Sequence, residues 1–189
     1  MENNDSGDTV HIITGAVNSG KTTELRRRIE KYRNLGKKAG GIITEAESKD
    51  GIKSVFFVRR IGGRERVPIA IRKDLNPRNT RNTLEATGDG EKSKGTEGFD
   101  FYQEGFETAA LWIYEACSEE VDLLCIDELG PVELRGEGHW PALVEAAGIF
   151  RGILELVVRK GLVEDFTGKF IKMGKRVEVV EVQPDDAGV

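Results

Sequence analysis

Gly15-Ala16-Val17-Asn18-Ser19-Gly20-Lys21-Thr22-Thr23 is the stretch on which the fold turns, because it fits the phosphate-loop pattern G-x-x-x-x-G-K-[ST]. Each constrained position has a physical task. The glycines let the backbone curl so that successive N–H groups point at phosphate oxygens. Lys21 sets an ammonium against the outer phosphates, and Thr22 offers a hydroxyl to a magnesium ion. A helix following the loop turns its partially positive N-terminus toward the same anion.

Four constrained positions are a weak signal in a chain with many glycines, so the flanks must carry the reading. Residues 9–14, Thr-Val-His-Ile-Ile-Thr, form a short β-rich run ahead of the loop. Behind it Leu25, Ile29 and Tyr32 recur at helical spacing among charges, and Gly36 stands where a helix would stop. Strand, loop and helix in that order are the context the motif requires.

A second signal lies a hundred residues on. Residues 121–126, Val-Asp-Leu-Leu-Cys-Ile, read as a central strand covered on both faces, and Asp127-Glu128 ends it. Ligands of open α/β sheets collect at the carboxyl ends of strands, which is also where the phosphate loop leaves the first strand. Asp127 is therefore expected to reach the same metal as Thr22, commonly through water. Glu128 is the expected base or orienter for an attacking water. Arg159, just past an apolar strand at 153–158, is a candidate for stabilising charge on a transferred phosphoryl group, and Arg135 a weaker one.

The remaining pattern predicts an α/β fold: a mostly parallel sheet flanked by helices, with an antiparallel hairpin. Residues 41–44 read as a second strand, and residues 52–59 and 67–71 as the hairpin around Gly62-Gly63. Pro68 belongs at a sheet edge or a strand start. Helices are expected over residues 102–116, from Trp140-Pro141 onward and over 164–172, and a last strand over 177–182. Residues 72–98 hold few large apolar side chains and are expected to be a mobile loop insertion within a single domain spanning 1–189.

Composition narrows the function. The 189 residues suffice for one compact core, and a net charge of −5 disfavours general binding to nucleic acid or anionic membranes. A nucleotide needs only a local positive pocket. Arg26-Arg27-Arg28 reads as the solvated face of the first helix, with Glu24 paired to Arg28. Two cysteines, Cys117 and Cys125, lack zinc or disulfide spacing, and two histidines exclude a histidine-rich metal site. Residues 1–8 are polar and acidic, unlike a signal peptide, and no apolar run reaches membrane-spanning length, so a cytoplasmic protein is expected. Trp112 and Trp140 are read as packing residues rather than base-stacking ones.

The phosphate loop, the strand Gly40-Gly41-Ile42-Ile43-Thr44-Glu45, the hairpin and above all Asp127-Glu128-Leu129-Gly130-Pro131-Val132-Glu133-Leu134 resemble the small nucleoside-triphosphatase family, whose members include thermophilic nucleoside-triphosphate phosphatases and a cancer-related vertebrate nucleoside-triphosphatase. That resemblance implies a P-loop core of mixed sheet between helices. It also implies Mg²⁺-dependent hydrolysis of ATP, GTP and other nucleoside triphosphates to the diphosphate. Glu133 matches a family position and reads as structural as readily as functional. Two alternatives stay open: a phosphotransferase, since the loop also resembles that of thymidine kinases, and a nucleotide-sensing module without catalysis.

Overall fold

The computed structural model describes residues 9–76 and 98–183. Eight strands make one sheet: β1 (Thr9–Gly15), β2 (Ala39–Lys49), β3 (Ile52–Arg60), β4 (Arg66–Arg72), β5 (Phe99–Phe101), β6 (Leu123–Leu129), β7 (Ile153–Val158) and β8 (Arg176–Val182). Their order across the sheet is β5-β4-β3-β2-β6-β7-β1-β8. The half from β2 to β8 pairs in parallel, and β2-β3-β4-β5 pairs antiparallel. The antiparallel part is thus larger than the hairpin the sequence suggests. β2 runs on past residue 44 and folds back through Asp50-Gly51, and Phe99–Phe101 adds a strand that the sequence pattern leaves unassigned.

Of the segment 72–98, Arg72 closes β4 and Lys73–Leu75 form a 3-10 turn. Residues 77–97, where most of the expected insertion falls, lie outside the described residues, as do residues 1–8. Pro68 sits in β4, and β5 pairs with β4 only across Ala70–Arg72, so Pro68 occupies a locally open edge where no N–H is needed.

Among the described residues five α-helices accompany the sheet: α1 (Lys21–Asn34), α2 (Gln103–Ser118), α3 (Pro131–Leu134), α4 (Trp140–Ile149) and α5 (Val163–Lys172). On one face α1 packs Leu25 and Ile29 against Ile13, Ile43, Leu123, Cys125 and Val157. Its end is decided by Gly36, at φ 74°, where the Gly36 and Lys37 N–H groups donate back to the Arg33 and Tyr32 carbonyls. A side chain there would oppose the left-handed turn that satisfies these carbonyls.

The opposite face takes α2, α4 and α5. Phe106, Trp112 and Ile113 of α2 join Leu143, Phe166 and Phe170 in the main core. Trp140 rests on Phe166 and Phe170 at ring-centroid distances of 5.6 and 5.8 Å, so both tryptophans are packing residues, as read from the sequence. Leu123, Leu124, Cys125 and Ile126 of β6 are fully buried, as a strand covered on both faces requires. Among the described residues no helix is long and apolar enough to cross a membrane.

Candidate active site

Strand β1 delivers the phosphate loop at the carboxyl edge of the sheet, and α1 starts within it. A methyl group on Gly15 would lie 2.4 Å from Ser19 Oγ and 2.5 Å from the Val182 carbonyl oxygen, so only glycine lets the loop fold over β8. Ala16, Val17 and Asn18 form the exposed crest of the loop, Ser19 is buried, and Gly20 caps α1. Lys21 bends back across the loop and donates from Nζ to the carbonyls of Ala16 at 2.9 Å and Gly15 at 3.3 Å. Thr23 is exposed in the first turn of α1.

Two strands away, β6 brings Asp127 to this loop. Thr22 Oγ1 donates to Asp127 Oδ2 at 2.9 Å across 105 residues of sequence. Thr44 of β2 donates its hydroxyl to the Asp127 main-chain oxygen and so ties the two strand ends together. Asp127 is 1 % exposed, and its second carboxylate oxygen has no partner. Burial pushes its pKa up from 3.8 to about 7, against the Thr22 hydrogen bond, and the neighbouring Glu128 charge adds to the rise.

Thr14 Oγ1 and Ser19 Oγ, in and beside the loop, are also buried without a hydrogen-bond partner. Unsatisfied polar atoms such as Asp127 Oδ1 and Ser19 Oγ are costly unless a polar ligand completes them. Their chemistry suits a hard cation and phosphate oxygens. Among the described residues no group of three or more His, Cys, Asp or Glu side chains could hold a metal by itself. Thr22 and Asp127 could therefore share a divalent cation with phosphate and water oxygens.

Glu128 follows Asp127 but faces elsewhere. Asp127 lies against α1, whereas Glu128 lines a cavity on the α2 side, at the point where the register of β6 against β7 shifts. Arg159 Nε approaches Glu128 Oε1 at 3.2 Å, so the structure joins two residues that the sequence suggested separately. Arg135 instead pairs with Glu137 at the surface. Glu133 is buried and structural: its carboxylate accepts the N–H groups of Gly130 at 2.9 Å and His139 at 3.3 Å, fixing the turn after β6. Burial raises its pKa, and those N–H donors oppose the rise.

One expectation about the basic run fails. Arg28 is no solvated residue: it reaches past Glu24 to grip the buried Glu155 of β7, at 2.9 and 3.1 Å. Thr14, Thr44 and this Arg28–Glu155 contact were not picked out from the sequence, since each depends on strands that meet only in the fold.

The chain is similar to known proteins over most of its described length. A profile described as NTPase matches residues 10–186. The chain is 31% identical over 124 residues to nucleoside-triphosphatase THEP1 of Methanocaldococcus jannaschii, covering 66% of this chain and 63% of that protein, less than two thirds of its length. To the Pyrococcus abyssi THEP1 it is 26% identical over 149 residues, covering 79% and 74%. The solution structure of a human cancer-related nucleoside triphosphatase superposes with a TM-score of 0.68 at 21% identity, covering 94% of this chain and 90% of that one, which establishes a shared fold.

Proposed function

The chain belongs to the NTPase family, and from that premise we propose that it hydrolyses nucleoside 5′-triphosphates, ATP and GTP among them, to the diphosphate and phosphate with Mg²⁺. The observation that carries this reading is the buried Asp127 carboxylate, held by Thr22 beside the phosphate loop with its Oδ1 unpartnered, while Ser19 Oγ within that loop also lacks a partner. A triphosphate would displace Lys21 from its own loop carbonyls and take the ammonium in exchange. The loop N–H groups and the start of α1 would hold the inner phosphates.

Asp127 and Thr22 would hold the metal, which when bound draws negative charge from the phosphate oxygens. For Asp127 that means ionisation, since a cation at Oδ1 offsets the burial that keeps its proton. Glu128 would orient water for in-line attack on the outer phosphorus and accept its proton. In the free protein Arg159 occupies Glu128. Phosphoryl oxygens would compete for that guanidinium, releasing the carboxylate and placing positive charge where negative charge develops.

Phosphate release measured across nucleotides with and without Mg²⁺ tests the proposal. Turnover should need the metal, and Glu128→Gln should retain nucleotide binding while losing turnover about 100-fold or more. Metal-independent turnover, or a Glu128→Gln variant as fast as the parent, would refute the assignment.

A further inference from the structure

On the far side of Glu128 from the phosphate loop lies a cavity of ≈ 110 Å³ that hydrolysis does not need. Its walls are aromatic. Phe56 and Phe99 meet edge to face at 5.4 Å, Phe101 and Phe106 lie 6.1 Å apart, and Phe106 meets the His139 ring at 4.9 Å. No residue of the phosphate loop, α1, β1 or β8 lines it. It shares two residues, Glu128 and Arg159, with the proposed reaction centre.

Its polar groups also point to a ligand. His139 is 2 % exposed, and its Nδ1 has no hydrogen-bond partner. Glu128 and Arg159 stand together among the lining residues. An apolar chamber with a few convergent polar groups is the usual form of a small-molecule site. At ≈ 110 Å³ the cavity is smaller than the about 150 Å³ that encloses benzene, but it is open on one side, so a single ring is the largest group it seats. The groove of ≈ 590 Å³ along α1, lined by Arg26, Arg33, Arg59 and Arg60, contains neither Lys21 nor Asp127.

We propose that this cavity receives a small molecule carrying a single aromatic ring and a hydroxyl, and that the hydroxyl replaces water at Glu128 as acceptor of the outer phosphoryl group. The ring would stack among the phenylalanines, with His139 donating or accepting a hydrogen bond at its edge. The hydroxyl would give its proton to the Glu128 carboxylate as its oxygen bonds to the outer phosphorus. The bond from that phosphorus to the bridging oxygen breaks, and its electron pair leaves with the nucleoside diphosphate. The products are a phosphate monoester and the diphosphate. This inference rests on the nucleotide-cleaving reading of the phosphate loop and Glu128.

Benzyl alcohol is a suitable probe for the full chain. Titrated without nucleotide, it should bind saturably and shift the phenylalanine ring and His139 resonances. Ala70, which pairs with Phe56 on one side and Phe101 on the other, lines the same chamber, so Ala70→Leu should fill it and weaken binding at least tenfold. Phe99→Ala, at the half-buried rim, should weaken binding similarly and serves if the first variant does not fold. With Mg·ATP present, phosphorus NMR should detect benzyl phosphate formed in step with ADP. Absence of saturable binding, binding unaffected in a folded variant, or inorganic phosphate as the sole product would overturn the proposal. Phosphate release without benzyl alcohol is scored separately. Release with no benzyl phosphate defeats the acceptor pocket alone; benzyl phosphate with no release defeats the hydrolase reading alone.

Discussion

Asp127 and Glu155 stand on adjacent parallel strands, on the same sheet face beneath α1, and each is 1 % exposed, yet their surroundings are opposite. Glu155 is complete. His11 Nδ1 lies 2.8 Å from its carboxylate, and Arg28 binds both of its oxygens. Asp127 has one hydroxyl donor and an empty-handed Oδ1, and burial holds its proton up to about pH 7. One carboxylate is paired with Arg28 and the His11 ring. The other is left short of a cation, at the edge where the phosphate loop opens. Buried acidity alone therefore does not mark a site; a missing counter-charge beside an anion-binding loop does.

The sharpest way to break this contrast is to truncate Glu155. Glu155→Ala leaves the half-buried Arg28 with Glu24 alone and His11 without its 2.8 Å partner, and should cost about 2–3 kcal/mol of stability by denaturant unfolding. Phosphate turnover per folded molecule should stay near the parent's. A stable Glu155→Ala protein would mean that the network is not structural.

Asp127→Asn should act the other way. Mg²⁺-dependent turnover should fall about 100-fold, or about 2.7 kcal/mol of transition-state stabilisation, in a steady-state assay. The same substitution should stabilise the protein when metal and nucleotide are absent. Because Asp127 titrates higher in the folded chain, at about 7 against 3.8, the native state keeps a proton that the unfolded chain has released in that window. Its contribution is fully present below pH 3.8 and is lost as pH rises through 7. Unfolding free energy should thus decline with pH by at most about 1.4 kcal/mol per unit from this group. Asp127→Asn should remove that slope, and an unchanged slope between pH 5 and 7 would show that Asp127 is not held protonated.

The smallest effect is expected at Thr44. Its hydroxyl anchors the Asp127 main chain, so Thr44→Val should cost about 1 kcal/mol and lower turnover only severalfold. A loss as large as that of Asp127→Asn would assign Thr44 a direct role at the phosphates.

Much of this architecture is legible locally. Alternating strand and helix patterns, the Gly36 stop and the apolar run of β6 each arise from contacts within one segment, and each stands where the pattern puts it. β5 escaped notice because three residues hold no periodicity to read. Arg28 was misread because its basic run looks like any solvated helix face. Its partner Glu155 is 127 residues away, beyond the reach of helical spacing.

The sequence by itself determined that a phosphate-binding loop joins a strand to a helix and that an Asp-Glu pair stands at the end of a buried strand. Those are short-range facts, set by backbone freedom at glycine and by side-chain periodicity. Only the tertiary structure decided that Thr22 meets Asp127, that Asp127 lacks the cation Glu155 possesses, and that Glu128 faces an aromatic chamber with Arg159. Pairing and desolvation depend on which strands become neighbours. Strand order is settled by packing across the whole sheet, so no single stretch of chain contains it.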